Sequence, residues 1–220
     1  MAEPFWERPE IVEQFAGRDP DHRLVKLVDD YDRPATTRVL DLGCAGGRNA
    51  EFLARRGFEV WALDASTPMV QRTRGRLGAV LGTERARERV RPGRMDDLAA
   101  FADGWFALVV ALGVYHSAGS RQEWEQAVAE SARVLERGGR LLVNHFTPEV
   151  DLSGEGVQAV PGQPGVYDGL SGGRGVLLEQ EELDAAMARH GLVPEVPSET
   201  VRVETERGRR VSVNALYRKQ

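Results

Sequence analysis

The chain has 220 residues, a formal net charge of −5, 41% hydrophobic residues and 29% charged residues. These values are typical of one globular domain and exclude a disordered chain, and no stretch approaches the run of about 18 apolar residues that a membrane helix needs. The acidic balance argues against a dedicated nucleic-acid-binding protein, and the single cysteine, Cys44, excludes an intrachain disulfide or a multi-cysteine metal site.

Apolar residues recur at helical spacing before Arg33 and then switch repeatedly between strand and helix patterns. The first stretch predicts two short helices separated by Asp19-Pro20-Asp21, with Asp21 capping the second. Five strands separated by helices follow. The predicted strands span 37–42, 59–63, 88–92, 106–112 and 140–146. The predicted helices span 47–57, 66–81 and 120–135. Ser66 caps the second, and Ser120 with Glu123 fits a capping box at the start of the third, whose apolar stripe includes Trp124.

The last third of the chain has a different pattern. Eight of the 29 residues in 148–176 are glycine, which predicts a long loop that is either a lid or a flexible insertion. A final helix is expected over 179–190. Alternating apolar residues on both sides of Glu206-Arg207-Gly208 predict an antiparallel hairpin.

Strands that alternate with helices predict an α/β fold with a doubly wound, Rossmann-like and mostly parallel sheet. Right-handed crossovers place helices on both faces of such a sheet, and the C-terminal hairpin adds an antiparallel part. Ligands bind such sheets at the carboxyl ends of the strands, near the point where the strand order reverses. The loop after the first strand is therefore the first place to search for a site.

Three strand ends carry an acid at this edge. Asp41 precedes the loop Gly43-Cys44-Ala45-Gly46-Gly47, Asp64 lies 21 residues after Gly43, and Asp96 follows the third strand. A glycine loop lets a ligand approach the backbone, and an acid after the second strand can accept the hydroxyls of a ribose. A nicotinamide-binding fold explains these two features but has no need for Asp41 or Asp96.

With these three acids, the sequence resembles the class I S-adenosylmethionine-dependent methyltransferases over about residues 36–217. It is most similar to their small-molecule branch, whose loop has the form DLGCGxG. The resemblance implies S-adenosylmethionine as cofactor and a seven-stranded sheet whose last strand is antiparallel. One departure is visible, because Ala45 stands where the family pattern has its middle glycine.

The resemblance also implies a role for individual residues. Gly43, Ala45 and Gly47 would line the methionine side of the cofactor, with Asp41 at its amino group, and Asp64 would hold the ribose. The other implied contacts are Ala65 and Met69 on the adenine side, Met95 and Asp96 at the adenine amino group, and the carbonyl of Leu112 near the methionine amine.

We expect residues 1–220 to form a single domain with four parts. These are an N-terminal helical cap (1–35), a cofactor-binding core (36–147), the glycine-rich insertion (148–176), and the last helix with the hairpin (177–220). The first eight residues contain acids and no apolar run, so we expect no signal peptide and a cytoplasmic protein.

Methyl transfer from a sulfonium is an in-line displacement in which the protein mainly positions and desolvates the reactants. His116, in the loop after the fourth strand, is the best candidate for a general base or for a group that orients the acceptor. It could instead only pack against the cofactor or cap the next helix. Tyr115 would either line the substrate pocket or belong to the core. At the end of the fifth strand, His145 is a candidate substrate contact, although only one of His145 and Phe146 can face the site.

Two residues of the N-terminal cap carry a further hypothesis. Phe15 would cover the cofactor, and Arg18 would pair with its methionine carboxylate. The alternative is a core aromatic residue and a solvated charge.

The sequence thus predicts metal-independent methyl transfer to a small-molecule acceptor, with no nucleic-acid or membrane partner. The stretch Ala111–His116 lacks the Asn/Asp-Pro-Pro-aromatic motif of exocyclic-amine methylation, and Cys44 lies in the cofactor loop, away from any nucleophile position. A histidine near the methyl group favours an oxygen acceptor slightly. Two alternatives stay open: a non-catalytic S-adenosylmethionine-binding module and a nicotinamide-dependent oxidoreductase.

Overall fold

A computed structural model describes residues 4–206 and 208–220. Arg207 of the predicted hairpin turn and the first three residues of the N-terminal segment lie outside the described residues. In chain order the strands are β1 (Arg38–Leu42), β2 (Glu59–Asp64), β3 (Val90–Pro92), β4 (Phe106–Leu112), β5 (Leu135–Phe146), β6 (Gln158–Ala159), β7 (Val166–Leu170), β8 (Gly173–Val176), β9 (Leu192–Pro194), β10 (Glu199–Thr205) and β11 (Gly208–Lys219).

The helices follow the predicted alternation with the strands. They are α1 (Pro9–Ala16), α2 (His22–Leu27), α3 (Arg48–Arg55), α4 (Thr67–Leu81), α5 (Thr83–Arg89), α6 (Arg121–Val134) and α7 (Gln180–Ala188). Asp21 caps α2 and Ser66 caps α4 through their side chains, as the sequence predicts. None of the described helices is both long and apolar enough to cross a bilayer.

The main sheet has the strand order β10-β11-β5-β4-β1-β2-β3. The pairs among β1 to β5 are parallel, whereas β11 is antiparallel to β5 and β10. The predicted doubly wound sheet with an antiparallel C-terminal hairpin is confirmed. The short strand β9 also pairs with β11 and adds an eighth strand. Three residues are too few to show a periodic pattern, so the sequence did not predict it.

Alternate residues of the central strands enter two cores on opposite faces of the main sheet. On β1, Leu40 belongs to the core that contains Trp124 of α6 and Leu183 of α7. Its neighbour Val39 belongs to the core that contains Leu24 of α2 and apolar residues of α3 and α4. Helices therefore cover both faces, and the carboxyl ends of the parallel strands stay at one edge between the layers.

Several local predictions were wrong, among them the start of β5, which lies at Leu135 and not at residue 140. The glycine-rich insertion contains a second, antiparallel sheet of order β6-β7-β8, because short strands without apolar alternation leave no strand signal. Helix α5 was not predicted. Helix α6 ends at Val134, before the predicted end, and Glu123 accepts the N–H of Gly119 rather than completing a box with Ser120.

Candidate functional site at the carboxyl edge

The ends of β1 and β2 are joined through one carboxylate. Asp64 accepts the backbone N–H of Ala45 through Oδ2 and that of Ser66 through Oδ1, each at 2.8 Å. The glycine loop after β1 is thereby held against the start of α4. Burial raises the pKa of Asp64, and the two N–H groups partly offset that rise. Each oxygen keeps a second lone pair for a ligand hydroxyl.

Asp41 is a buried acid with a free oxygen. Its Oδ2 has no hydrogen-bond partner among the described residues, and only 2% of the residue is exposed. Burial is the main cause that raises the pKa of Asp41 to about 7; the charge of Asp64 contributes to this rise, whereas Arg48 and the Ala50 N–H oppose it. A buried carboxylate in this state is stabilised by any cation that reaches Oδ2.

The loop between these acids is packed tightly from both sides. A Cβ at Gly46 would lie 2.6 Å from the backbone of Ala16 in α1, so only glycine lets the N-terminal cap sit on the loop. A Cβ at Gly43 would lie 2.7 Å from the Val114 side chain, and a Cβ at Gly47 would lie 2.8 Å from the Thr73 side chain. The sequence assigned these glycines to the approach of a ligand, and the structure shows that protein neighbours require them as well.

Ala45 has a left-handed backbone with φ of +47° and is the one such non-glycine residue in the described ranges. The departure from the glycine pattern therefore falls at a position that glycine would suit best. Thr73 donates to the Ala45 carbonyl at 2.7 Å and helps to hold this conformation.

We expect Ala45→Gly to raise the free energy of unfolding by about 1 kcal/mol, since relief of left-handed strain exceeds the entropy cost of glycine. Urea denaturation measures it. The matched control is Ala185→Gly in α7, an exposed helical position where the same change should lower stability by about 1 kcal/mol. If Ala45→Gly lowers the stability as the control does, the left-handed backbone of Ala45 is not strained.

The third acid lies in an ion-pair chain at the end of β3. Asp96 accepts two bonds from Arg94, at 2.9 and 3.2 Å, and Arg94 also pairs with Glu123 at 2.7 Å. Its chain neighbour Met95 and Met69 of α4 are both buried, whereas Ala65 is exposed. Asp64 accepts the Ala45 N–H, and its negative charge acts on Asp41. Asp96 belongs instead to a separate cluster of ion pairs. No sequence pattern indicated the Arg94 pairing.

The loop after β4 places its two aromatic residues differently. Tyr115 is fully buried, and its hydroxyl donates to Ser131 Oγ of α6 at 2.7 Å. This burial matches the core-residue alternative for Tyr115. His116 is 6% exposed and stacks on Phe146 at the end of β5, with ring centroids 4.0 Å apart.

His145 lies on the opposite face of β5 from Phe146 and is fully buried. Its ring centroid is 6.1 Å from that of His116 and 6.0 Å from that of Trp124. Burial lowers the pKa of His116 to about 3, and it lowers the pKa of His145 well below its ordinary value. Both imidazoles are neutral near pH 7, and His145 is a neighbour of the candidate base rather than a residue at the open edge.

These two histidines should make the protein sensitive to acid. Because the folded-state pKa values lie below the ordinary 6.5, the unfolded chain binds more protons below that pH, and stability falls as the pH decreases. We expect His116 to contribute a loss of about 2 kcal/mol between pH 7 and pH 5, and His145 to add to this loss. Urea denaturation at both pH values should show a smaller loss for His145→Phe, and an unchanged loss for the exposed control His22→Gln. Equal losses in all three proteins would contradict the assignment.

The N-terminal cap closes over the adjoining loops. Phe15 packs on Trp6 with centroids 5.3 Å apart, and the Arg18 guanidinium lies 4.0 Å from the Phe15 ring centroid. Ser66, the cap of α4, donates its hydroxyl to the Trp6 carbonyl at 3.0 Å. Sequence reasoning pointed to Phe15 but missed Trp6, which has no periodic neighbours to mark it.

No group of three or more His, Cys, Asp or Glu side chains in the described ranges is arranged to hold a metal ion. The strand order, the glycine loop and the acids at successive strand ends agree with what the resemblance to the class I methyltransferases implies. A family model described as a methyltransferase domain matches residues 40–143. Residues 40–143, slightly less than half of the chain, are thus similar to a methyltransferase domain.

Two curated relatives match part of the chain. A ubiquinone biosynthesis O-methyltransferase of Caulobacter sp. (strain K31) is 33% identical over 106 residues, which are 48% of this chain and 39% of that protein. A demethylmenaquinone methyltransferase of Thermus thermophilus is 37% identical over 127 residues, which are 56% of this chain and 53% of that protein. The matches thus span about half or less of these relatives.

Solved structures share the whole fold at lower identity. The 1,6-didemethyltoxoflavin-N1-methyltransferase of Burkholderia thailandensis, crystallised with 1,6-didemethyltoxoflavin and S-adenosylhomocysteine, superposes with a TM-score of 0.63 and 19% identity. The superposition covers 100% of this chain and 92% of that one. At this identity the likeness concerns the fold.

Proposed function

We propose that the protein transfers a methyl group from S-adenosylmethionine to a small-molecule acceptor by in-line displacement. The observation that carries this proposal is the pair of acids at the ends of β1 and β2, the buried Asp41 and the half-buried Asp64. Asp41 presents an unpartnered buried oxygen that suits a cationic amine, and Asp64 presents spare lone pairs that suit ribose hydroxyls. When bound, S-adenosylmethionine supplies a methyl group on a positively charged sulfur.

The other residues of the edge would complete the cofactor site. Gly43, Ala45 and Gly47 would lie along the methionine side, and the Leu112 carbonyl at the end of β4 would face its amine. Ala65, Met69 and Met95 would border the adenine. Asp96 would bind the adenine amino group with a lone pair that Arg94 leaves free, since a carboxylate has about four acceptor positions.

His116 would contact the acceptor, as a base or as an orienting group. It lies in the loop that continues from β4, and a Cβ at Gly113, the residue after Leu112, would be 3.6 Å from its Cε1. Stacking on Phe146 fixes the plane of the ring. Good alignment of the reactants alone can supply about 7–11 kcal/mol of the barrier reduction.

The acceptor atom that we favour is oxygen. The two curated relatives are named for steps of quinone biosynthesis, one of them an O-methyltransferase, and a histidine beside the acceptor suits an oxygen group. We therefore propose phenols and quinols as the first acceptors to assay.

The test is incubation of the purified protein with S-adenosylmethionine carrying a labelled methyl group and a panel of phenols, quinols, amines and thiols. The expected result is labelled product and S-adenosylhomocysteine in equal amounts. Binding of the cofactor without product across the panel would favour a non-catalytic binding module. Binding of reduced nicotinamide but not of S-adenosylhomocysteine would favour an oxidoreductase.

A further inference from the structure

Four buried polar atoms without a hydrogen-bond partner, among the described residues, lie in one cluster near the ends of β4 and β5. They are Nε1 of Trp124, both ring nitrogens of His145 and Nδ1 of His116. His145 neighbours both other rings: its ring centroid is 6.0 Å from that of Trp124 and 6.1 Å from that of His116. The structure shows no direct hydrogen bond between any two of these rings. Because buried polar atoms normally have partners, we expect a water molecule to bridge each pair of neighbouring rings.

Three polar side chains near the cluster do not serve as partners of these atoms. The Tyr115 hydroxyl donates to Ser131 Oγ, which itself donates to the Ala127 carbonyl. Arg121 is the charged group nearby, and its guanidinium lies 4.8 Å from the Trp124 ring centroid. Its charge adds to burial in keeping His145 neutral. An arginine has only donors, so it offers nothing to the Trp124 N–H.

Donor and acceptor chemistry fixes the direction of a series of hydrogen bonds from Trp124 through His145 to His116. The indole N–H of Trp124 can only donate, and a neutral imidazole has one donor and one acceptor nitrogen. If Trp124 donates to one nitrogen of His145, the other nitrogen of His145 carries the hydrogen and donates to Nδ1 of His116. Nε2 of His116 must then carry its hydrogen. A water molecule between two rings accepts from one and donates to the next, so it preserves this direction.

We propose that Trp124 and His145 are positioning residues that hold His116 as its Nε2–H tautomer, so that His116 donates a hydrogen bond to the methyl acceptor instead of removing its proton. That the recipient is a methyl acceptor rests on the proposed function. The acceptor class selected in this way presents an oxygen lone pair to His116: a phenolate, an enolate, or a carbonyl next to the methylated atom. Such an acceptor arrives deprotonated or loses its proton to solvent.

The direct test is nitrogen NMR of the full-length protein labelled at histidine, which distinguishes the two imidazole tautomers and the protonated ring. The chain has four histidines, so single replacements assign the signals. The expected result at pH 7 is His116 protonated at Nε2 alone. His116 protonated at Nδ1, or at both nitrogens, overturns the proposal.

Variants show whether the hydrogen bonds from Trp124 through His145 set the tautomer of His116. Trp124→Phe removes the N–H and keeps an aromatic ring, and the His116 signal should shift to a mixture of tautomers. The matched control is Trp105→Phe, which changes a tryptophan that packs against Trp61 and Arg38. A His116 signal that both variants leave unchanged would show that Trp124 is only a packing residue. If Trp124→Phe does not fold, the wild-type tautomer still decides the proposal.

The kinetics of two His116 variants distinguish hydrogen-bond donation by His116 from removal of a proton by His116. His116→Gln keeps an N–H donor but has no basic nitrogen, whereas His116→Phe has neither. With an acceptor that turns over, His116→Gln should keep kcat within about tenfold of the native protein, and His116→Phe should lose more. Loss of about 10²–10⁴-fold in both variants would identify a general base and overturn the proposal. The tautomer can be measured without turnover, so failure of the methyl-transfer assay is distinct from failure of this inference.

Discussion

Replacing Asp64 with alanine is expected to weaken S-adenosylhomocysteine binding by about 1–3 kcal/mol, a loss of roughly 5-fold to 150-fold in affinity. Two effects add. The ribose loses its acceptor, and the N–H groups of Ala45 and Ser66 lose the carboxylate that joins their loops. Isothermal titration calorimetry measures the change.

Two controls separate these effects. Asp64→Asn keeps one oxygen acceptor and should lose less affinity than the alanine variant. Asp97→Ala removes an exposed carboxylate that accepts only the Ala99 N–H at 3.2 Å, and it should leave affinity unchanged. An Asp64→Ala protein that binds S-adenosylhomocysteine as tightly as the native protein would show that the ribose assignment is misplaced.

Asp41→Asn is expected to stabilise the free protein while weakening cofactor binding. Burial raises the folded-state pKa of Asp41 from the ordinary 3.8 to about 7. The folded state therefore holds a proton that the unfolded chain releases in this range, and stability falls as the pH rises from 3.8 towards 7. A neutral amide removes that penalty, so we expect a gain of about 1–2 kcal/mol at pH 8, measured by urea denaturation.

The same substitution should lower S-adenosylhomocysteine affinity by about 1–3 kcal/mol, because the ligand ammonium loses its charged partner. In the native protein, affinity should also decline as the pH falls below about 7, where Asp41 becomes protonated, and Asp41→Asn should remove this dependence on Asp41. A variant that is both less stable and unchanged in affinity would contradict the assigned role.

Local sequence signals predicted the parts of the fold that depend on neighbouring residues. Caps such as Asp21 and Ser66 act within one turn, and the alternation of β1 to β5 with helices follows from apolar spacing. The short strand β9 and the sheet of the insertion depend instead on pairing with distant residues. No pattern within three to five residues can specify such pairing.

The sequence predicted which residue types form the candidate site better than it predicted the contacts among them. Successive strand ends brought Asp41 and Asp64 together because parallel strands share one carboxyl edge. The ion pair of Arg94 with Asp96 depends on rotamers of long side chains, and the left-handed Ala45 depends on the packing of α1 and α4 around the loop. Trp124 was correctly predicted in the apolar stripe of α6, but its unpartnered N–H appears only once His145 is placed beside it.

Binding of the adenosyl ligand can be measured by calorimetric titration of the purified full-length chain with S-adenosylhomocysteine, which needs no knowledge of the acceptor. We predict heat of binding with a stoichiometry of about one ligand per chain, and a clear loss of affinity in Asp64→Ala. Absence of binding heat at several temperatures, with no shift in thermal unfolding at saturating ligand, would show that the acids of β1 and β2 do not form a cofactor site.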